Sequence, residues 1–259
     1  MRYTIIHRDD DFSKEFTKNL HTALRFINFE ENQEHPQLII TVGGDGTMLH
    51  AIHQYIDKLK EVSFVGIHTG TLGFFTDYTC DELDEFLADI LKEPTFREHP
   101  LIETKCYGDT GLRHHVYALN ESRVENIIQT QLIKVYINNE FFEKFRGNGM
   151  CISAQLGSTA YNRSISGAII DSRLQALQLT EISGIHHRHY RSLNSPLVLH
   201  FDTVITLQSE SFEGAMLIYD YLNINLHQTK CIEVKLSDKI VKFATFKKVS
   251  YYNRLRSLF

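Results

Sequence analysis

The sequence predicts an α/β domain with a parallel sheet, followed by a second domain made mainly of β-strands. The first hundred residues alternate three times between a short apolar run and a segment whose apolar residues recur at helical spacing. After Pro100 the chain changes to short runs rich in β-branched and aromatic residues, separated by Asn and Gly. These observations place residues 1–99 in the first domain and residues 100–246 in the second.

Three strand-helix pairs make up the predicted first domain. The strands are residues 3–6, 38–42 and 62–67, and the helices lie within residues 16–27, 48–59 and 83–91. Alternation of this kind is typical of a parallel sheet, which binds its ligands at the carboxyl ends of the strands.

The second domain is predicted as a series of short strands. They cover residues 102–107, 116–119, 132–137, 141–145, 150–153, 197–199, 204–207, 216–219, 231–236 and 240–246. Asn138 and Asn139 stand between two of these runs and predict a tight hairpin turn. One helical segment is predicted at residues 172–182, where leucines cluster.

Composition limits the classes of protein to consider. A hydrophobic fraction of 42% and a charged fraction of 23% are typical of a soluble globular chain. The net charge of -5 disfavours binding to nucleic acid. The four cysteines are widely spaced, which favours free thiols in a reducing compartment. The sequence has neither a long apolar run nor the charge pattern of a signal peptide. We therefore expect a cytoplasmic protein that does not bind membranes.

The sharpest local motif is Gly-Gly-Asp-Gly-Thr at residues 43–47, between the second strand and the second helix. Glycines let the backbone approach a ligand closely, and a helix N-terminus attracts phosphate. The motif is neither a dinucleotide fingerprint nor a Walker A loop. Asp45 could accept a proton from an attacking hydroxyl or hold a metal ion. Equally, the glycines could form a plain turn in which Asp45 only caps the helix.

Three further segments carry groups that bind nucleotides. Residues 68–75 follow the third strand at the same sheet edge, and Phe74 could pack against a base or a sugar. Asn120 can pair with adenine, and Glu121 can accept from ribose hydroxyls at the end of a strand. Residues 157–164 supply N–H and O–H donors. Each segment alone is also ordinary turn or core chemistry, but together they predict a nucleoside pocket.

In this order, the motifs at residues 43–47, 70–75, 120–121 and 157–164 resemble the motif series of the NAD kinase family, and residues 191–198 are similar as well. The resemblance covers nearly the whole chain. It implies transfer of a phosphoryl group from ATP, or from polyphosphate, to the adenosine-ribose 2′-hydroxyl of NAD, which makes NADP. It also implies that residues 247–259 return to the first domain.

The resemblance implies a role for each motif residue. Asp45 is the expected catalytic carboxylate. The expected nucleotide-binding residues are Gly44, Gly46, Phe74, Asn120, Glu121, Asn148, Ser158, Thr159, Ala160, Tyr161, Asn162 and Ser164. A divalent ion, Mg²⁺ or Mn²⁺, is expected to arrive with ATP, since no metal cage is visible in the protein. Family members are generally homodimers or homotetramers in which a neighbouring subunit helps to complete the NAD site.

Two departures from the family pattern bear on substrate binding. Asn148 stands where the family usually has Asp, so a carboxylate that could accept from the adenine amino group is lost, although the amide oxygen can still accept. Ala154 and Gln155 replace the usual Thr-Pro, which removes a fixed φ angle. Both changes concern affinity or selectivity more than the reaction itself.

The paired histidines do not predict a metal site. Residues 114–115 and 186–189 place histidines next to each other, where consecutive side chains point in different directions, and no acidic partner stands at ligand spacing. Solvated or subunit-contact loops are expected there.

Two other functions remain open from the sequence. A lipid kinase of the diacylglycerol or sphingosine type shares the motif at residues 43–47, although the acidic charge balance offers no way to reach a bilayer. A non-catalytic sensor of NAD or NADP is suggested by Asn148 and the missing proline.

Overall fold

The computed structural model describes residues 1–70, 73–185, 192–256 and 258. The chain divides into two compact units, one made of Met1–His99 and Lys239–Phe259, the other of Pro100–Asp238. The first unit mixes helices with parallel strands and the second is mainly antiparallel β-sheet, which confirms the predicted fold class.

The secondary structure of the described residues is as follows. The helices are α1 (Asp11–Phe26), α2 (Asp45–Gln54), α3 (Leu83–Asp89), α4 (Tyr161–Ser164) and α5 (Tyr251–Arg256), with 3₁₀ turns at Cys80–Glu82 and Gly157–Thr159. The strands are β1 (Arg2–His7), β2 (Glu30–Glu31), β3 (Leu38–Val42), β4 (Ser63–His68), β5 (Tyr78–Thr79), β6 (Thr95–Gly108), β7 (Gly111–Ala118), β8 (Glu121–Glu125), β9 (Gln131–Ile137), β10 (Glu140–Gly147), β11 (Gly149–Ala154), β12 (Ala176–Ile182), β13 (Leu197–His200), β14 (Ile205–Gln208), β15 (Met216–Tyr219), β16 (Leu222–Asn225) and β17 (Cys231–Thr245).

The first unit is built on parallel strands in the order β4-β3-β1-β2. All five residues of β3 are buried, as expected for a strand with both faces covered. Helix α1 packs Leu20 and Leu24 into the core. Asp10 caps its N-terminus, and the Asp10 carboxylate accepts a hydrogen bond from Ser13 N at 2.9 Å. The end of β17 adds a further parallel strand beside β4.

The parallel register brings two loops to one edge of this sheet. Val42 at the end of β3 lies opposite Ile67 near the end of β4, so the chain leaves both strands at their carboxyl ends. The segment after β3 carries the Gly-Gly-Asp-Gly-Thr motif, and the segment after β4 carries Phe74. This edge is where an open parallel sheet binds its ligands.

The second unit contains a six-stranded antiparallel sheet in the order β13-β12-β11-β8-β15-β16. A second antiparallel set joins β10, β9, β14 and the first half of β17. Both sets contribute side chains to one core, for example Ile152 and Leu217 from the first and Ile133 and Ile205 from the second.

Three predicted elements differ in the structure. Residues 172–182 were predicted as a helix, but Ala176–Ile182 form strand β12 between β11 and β13. Six of its seven residues are buried, so its apolar spacing does not show the alternation that marks a half-buried strand. The second helix ends at Gln54 rather than near residue 59, and residues 231–245 form one strand instead of two.

The paired histidines at residues 114–115 lie in strand β7 rather than in a loop, and His115 Nε2 lies 2.7 Å from Glu103 Oε1. The histidines at residues 186–189 fall outside the described residues. In the described parts of the chain, no helix is both long enough and apolar enough to cross a bilayer.

Candidate functional site

The carboxylate of Asp45 is held by the loop that follows β4. Asp45 opens α2, and its Oδ2 accepts a hydrogen bond from Phe74 N at 2.9 Å while its Oδ1 accepts one from Phe75 N at 2.9 Å. The cap position of α2 is Gly44, and no side chain caps the helix there. The alternative in which Asp45 only caps its own helix is therefore wrong.

Glycine occupies positions 43, 44 and 46 for different physical reasons. Gly43 has a φ of +155°, and a Cβ there would lie 2.2 Å from Thr47 Oγ1, so the turn itself requires glycine. A Cβ on Gly44 or Gly46 would meet no atom within 4 Å. The space beside these two residues is open to a ligand, and the backbone of the first turn of α2 borders it.

The second loop approaches Asp45 closely. A Cβ on Gly73 would lie 2.3 Å from Asp45 Oδ1, so glycine is required for the contact between loop and carboxylate. The half-buried ring of Phe74 packs edge-on against Tyr251 of α5, with 6.4 Å between ring centroids. Two residues of the predicted motif, at positions 71 and 72, lie outside the described residues.

In the second unit, Asn120 and Glu121 are held by a hairpin turn. Glu121 opens strand β8 rather than ending a strand as expected. Asp220, in the turn between β15 and β16, accepts hydrogen bonds from Leu119 N at 2.8 Å and from Asn120 N at 2.7 Å. Asn120 and Glu121 are 8% and 5% exposed, and within the described residues Asn120 Oδ1 and Glu121 Oε2 have no hydrogen-bond partner. Buried polar atoms without partners are uncommon and mark a place for a ligand or water.

The environment of Glu121 changes its protonation. The pKa of the Glu121 carboxyl is raised to about 8, chiefly by burial and also by the nearby Asp220 carboxylate, while the Arg123 guanidinium opposes the shift. At neutral pH Glu121 therefore mostly carries a proton and can donate as well as accept a hydrogen bond.

The turn at residues 157–159 lies directly against Asn120. A Cβ on Gly157 would lie 1.8 Å from Asn120 O, so only glycine allows this approach. Ser158 Oγ donates to Gln155 O at 2.7 Å and accepts from Ile170 N at 3.0 Å. Asn162 Oδ1 accepts from Thr180 Oγ1 at 2.8 Å. Because Ser158 and Asn162 are fully buried, these two side chains hold the segment in shape rather than face a ligand.

The other residues of this segment are more accessible. Thr159, Ala160 and Tyr161 are half-buried and Ser164 is exposed. The guanidinium of Arg123 stacks 3.5 Å from the centroid of the Tyr161 ring, which fixes the direction of that ring. Ser164 Oγ donates to Tyr161 O at 2.6 Å and closes the short helix α4.

Asn148 lies away from this cluster. It precedes β11, in which Gly149 pairs with Glu125 and Ser153 pairs with Glu121. Asn148 is thus five residues from Ser153, the partner of Glu121, which corresponds to about 16 Å along the strands. Asn148 Nδ2 donates to Asn126 O at 2.9 Å, so its Oδ1 points elsewhere as an acceptor.

Several residues that contact the predicted site residues are not identified by the sequence motifs. Asp220 and Arg123 were not predicted, although an Asp between two short apolar runs is a turn signal. Gly73 lies in a predicted motif, but its closeness to Asp45 is visible only in three dimensions.

Two other features do not belong to these clusters. In the portion of the chain that the structure covers, no group of three His, Cys, Asp or Glu side chains could hold a metal ion. A surface cavity of about 630 Å³ in the second unit is lined by residues 129–132 with parts of β9, β10, β14 and β17, and it contains none of the predicted site residues.

Comparison with known protein families agrees with these motifs. The family described as ATP-NAD kinase N-terminal domain matches residues 7–95, and the family described as ATP-NAD kinase C-terminal domain matches residues 118–246. The chain is 37% identical to the NAD kinase of Lacticaseibacillus paracasei, with 100% of this chain and 98% of the relative covered. It is also 37% identical to the NAD kinase of Geobacillus stearothermophilus, with 99% and 96% covered.

Two solved structures share the fold. An NAD kinase from Archaeoglobus fulgidus in complex with ATP superposes with a TM-score of 0.80 at 21% identity, covering 99% of each chain. A yeast NADH kinase complexed with NADH superposes with a TM-score of 0.82 at 18% identity, covering 100% of this chain and 87% of the other.

Proposed function

The chain belongs to the ATP-NAD kinase family and is an NAD kinase, and from this premise we propose which of its residues carry the reaction. Its substrates are ATP and NAD. The matches in both halves of the chain, together with full-length relatives named NAD kinase, decide against the lipid-kinase alternative.

Asp45 is the proposed general base. The observation that supports it is the pair of backbone N–H groups that fix its carboxylate beside the open space at Gly44 and Gly46. Each carboxylate oxygen keeps a lone pair beyond the one that meets a backbone amide. We place the ATP phosphates beside the first turn of α2, so that Asp45 accepts the proton of the 2′-hydroxyl as that oxygen attacks the γ-phosphorus and ADP leaves.

Asn120 and Glu121 are the proposed centre of the NAD site. Their unpartnered buried oxygens fit the amino group of adenine and a ribose hydroxyl. Thr159, Ala160, Tyr161 and Ser164 border the same site, whereas Ser158 and Asn162 shape it from inside the fold. Phe74 supplies an apolar surface on the side of Asp45.

The divalent ion is proposed to enter as part of the substrate. Mg²⁺ prefers a few carboxylates together with phosphate oxygens and water, and no protein cage for it exists among the described residues. Mg²⁺ or Mn²⁺ bound to ATP would neutralise the charge that develops on the phosphoryl oxygens.

A homodimer or homotetramer is proposed as the active form. Asn148 lies about 16 Å along the strands from Glu121, too far to share one adenine contact within a single chain. We assign its free amide oxygen to the NAD that is bound mainly by a neighbouring copy.

The test is the identity of the product. Purified protein is incubated with γ-labelled ATP, Mg²⁺ and either NAD or NADH, and NADP is read with an NADP-specific dehydrogenase. We expect the labelled phosphate on the 2′-oxygen of the adenosine ribose. Parallel reactions with polyphosphate and with NADH define the phosphoryl donor and the acceptor. Absence of NADP or NADPH with every donor and acceptor, from folded protein that binds NAD, would contradict the proposal.

A further inference from the structure

The side chain of Arg254 lies in the interior of the first unit, although it belongs to the last helix of the chain. Its residue is 3% exposed. Its Nη1 donates to Gly73 O at 2.6 Å and to Thr76 O at 2.5 Å, and its Nη2 pairs with Asp77 Oδ1. A buried guanidinium retains its charge at neutral pH and requires such partners.

The two carbonyls that Arg254 contacts belong to the residues on either side of Phe74 and Phe75, whose amides hold Asp45. Gly73 and Thr76 flank Phe74 and Phe75, whose N–H groups donate to the two oxygens of the Asp45 carboxylate. Gly73 N also donates to Thr76 Oγ1 at 3.3 Å, which closes this short segment on itself. The positions of both amides therefore depend on the two carbonyls that the guanidinium fixes.

The role of Arg254 is separable from charge balance at Asp77. Arg97 Nη2 lies 3.4 Å from the same Asp77 carboxylate, so Asp77 keeps a cation when Arg254 is removed. The carbonyls of Gly73 and Thr76, in contrast, lose a charged donor that reaches both at once.

We propose that Arg254 is a positioning residue for the phosphoryl transfer, which acts through the loop at residues 73–76 to hold the Asp45 carboxylate in its reactive orientation. The inference rests on the proposed role of Asp45. The planar fork of an arginine presents Nη1 to two carbonyls and Nη2 to a carboxylate at the same time, whereas the three N–H groups of a lysine share one nitrogen on a shorter stem.

The test compares Arg254→Met with Arg256→Met. Arg256 is an exposed arginine of the same helix, so the pair removes the same charge from two environments. In Arg254→Met we expect kcat to fall by about 100-fold, the effect of a misplacement near 1 Å, with the KM for NAD changed by less than about twofold. Arg256→Met is expected to match the wild type in both constants.

Amide hydrogen exchange supplies a readout that global destabilisation does not produce. In Arg254→Met the Phe74 and Phe75 amides are expected to exchange faster, while amides of strand β3 in the same unit keep their protection. Added guanidinium is expected to restore part of kcat in Arg254→Ala, because it can occupy the space of the missing group. Uniformly faster exchange through the first unit, or no rescue by guanidinium, would overturn the inference.

Arg254→Lys covers the case in which the larger truncations do not fold. Its kcat is expected to lie about 3- to 10-fold below that of Arg256→Lys, since one ammonium nitrogen on a shorter side chain does not occupy the positions of both Nη1 and Nη2. Equal kcat values in the two lysine variants would overturn the inference.

Asp45→Asn distinguishes failure of the inference about Arg254 from failure of the proposed function. If Asp45→Asn turns over like the wild type, the assignment of Asp45 as the base fails. An inactive Asp45→Asn together with a fully active Arg254→Met refutes only the role of Arg254.

Discussion

At the scale of single residues, the orientation of the proposed catalytic carboxylate is set by the groups that surround it. Asp45 occupies the first position of α2, yet both of its oxygens are bound by amides from the loop after β4. Groups fixed in advance need not reorganise as charge moves in the transition state. The orientation of this side chain is thus a property of two loops that leave neighbouring parallel strands.

Gly73→Ala tests how closely the loop must approach Asp45. The new Cβ would lie 2.3 Å from Asp45 Oδ1, so the carboxylate or the loop has to move. We expect kcat to fall by about 10- to 100-fold, because small misplacements of a reacting group are costly. Steady-state kinetics measure the loss, and calorimetric titration with NAD serves as the control. A variant that keeps the wild-type kcat would show that the contact does not orient the base.

Glu121→Gln tests the protonation of the buried carboxyl. Since the pKa of Glu121 is raised from 4.5 to about 8 in the folded protein, the unfolded chain binds fewer protons than the folded chain between these pH values. The unfolding free energy of the wild type therefore falls as pH rises through this window, and a neutral Gln avoids that loss. We expect the Tm of the variant to exceed that of the wild type at about pH 8.5 by about 3 °C or more, the effect of about 1 kcal/mol in a chain of this size.

The control for Glu121→Gln is the same comparison at acid pH. At about pH 5 the wild-type carboxyl is protonated in the folded state and resembles the amide, so the difference in Tm should shrink. A difference that widens toward acid pH would contradict the raised pKa.

The residues proposed to carry the chemistry stand out in the sequence, and the residues that hold them in place do not. Asp45, Asn120 and Glu121 are polar side chains beside predicted strand ends, which local patterns reveal. Asp220 acts on Asn120 across 100 positions of the chain, and Arg254 acts on Gly73 across 181. No local pattern connects such distant partners, so only the folded chain identifies them.

At the scale of elements, burial decides which predictions hold. Strand β3 was predicted with its correct bounds because five apolar or β-branched residues precede a glycine turn. Strand β12 is also buried on both faces, but its leucines matched helical spacing and it was predicted as a helix. Short apolar runs do not distinguish a buried strand from a helix, and the pairing of β12 with β11 and β13 determines the outcome.

The hairpin of β15 and β16 supports Asn120, a residue of the proposed NAD site, and Asp220→Asn tests this role. Asp220 has a φ of +52°, which Asn tolerates, so the turn is expected to remain intact. A single amide oxygen cannot accept from Leu119 N and Asn120 N as two carboxylate oxygens do. We expect the KM for NAD to rise about tenfold, in line with one lost hydrogen bond to a charged group, and kcat to change by less than about threefold.

Asp202→Asn is the matched control for the hairpin. Asp202 lies in the exposed turn between β13 and β14, with a side chain that is 68% exposed. Its replacement removes the same charge from the second unit and should leave both constants unchanged. If Asp220→Asn and Asp202→Asn have the same KM for NAD and the same kcat, Asp220 does not support NAD binding.

At the scale of the whole molecule, the chain contains two units with separate cores, and each carries some of the residues proposed for the reaction. The first unit carries Asp45 and the glycine turn, and the second carries Asn120 and Glu121. Within the second unit, Asn148 stands apart from the Asn120 cluster. We propose that Asn148 serves a neighbouring copy of the chain.

Mixed oligomers test the contribution of a second copy. Asp45→Asn and Asn148→Ala are each prepared alone and then co-expressed with different affinity tags. If Asn148 serves a neighbouring copy, a mixed dimer contains one intact site, and an equal mixture should reach about a quarter of the wild-type rate at low NAD. Light scattering measures the oligomer. A rate equal to the mean of the two separate variants would place Asn148 in its own copy's site or in none.

The most direct test of the account is the turnover of Asp45→Asn. NADP formation from NAD and MgATP is measured for wild type and variant side by side, with NAD binding followed by calorimetry and folding by Tm. We expect kcat to fall by about 1,000-fold while NAD binding survives, since a positioned general base contributes a rate factor on the order of 10² to 10⁴. A folded Asp45→Asn protein that turns over within about tenfold of the wild type would contradict it.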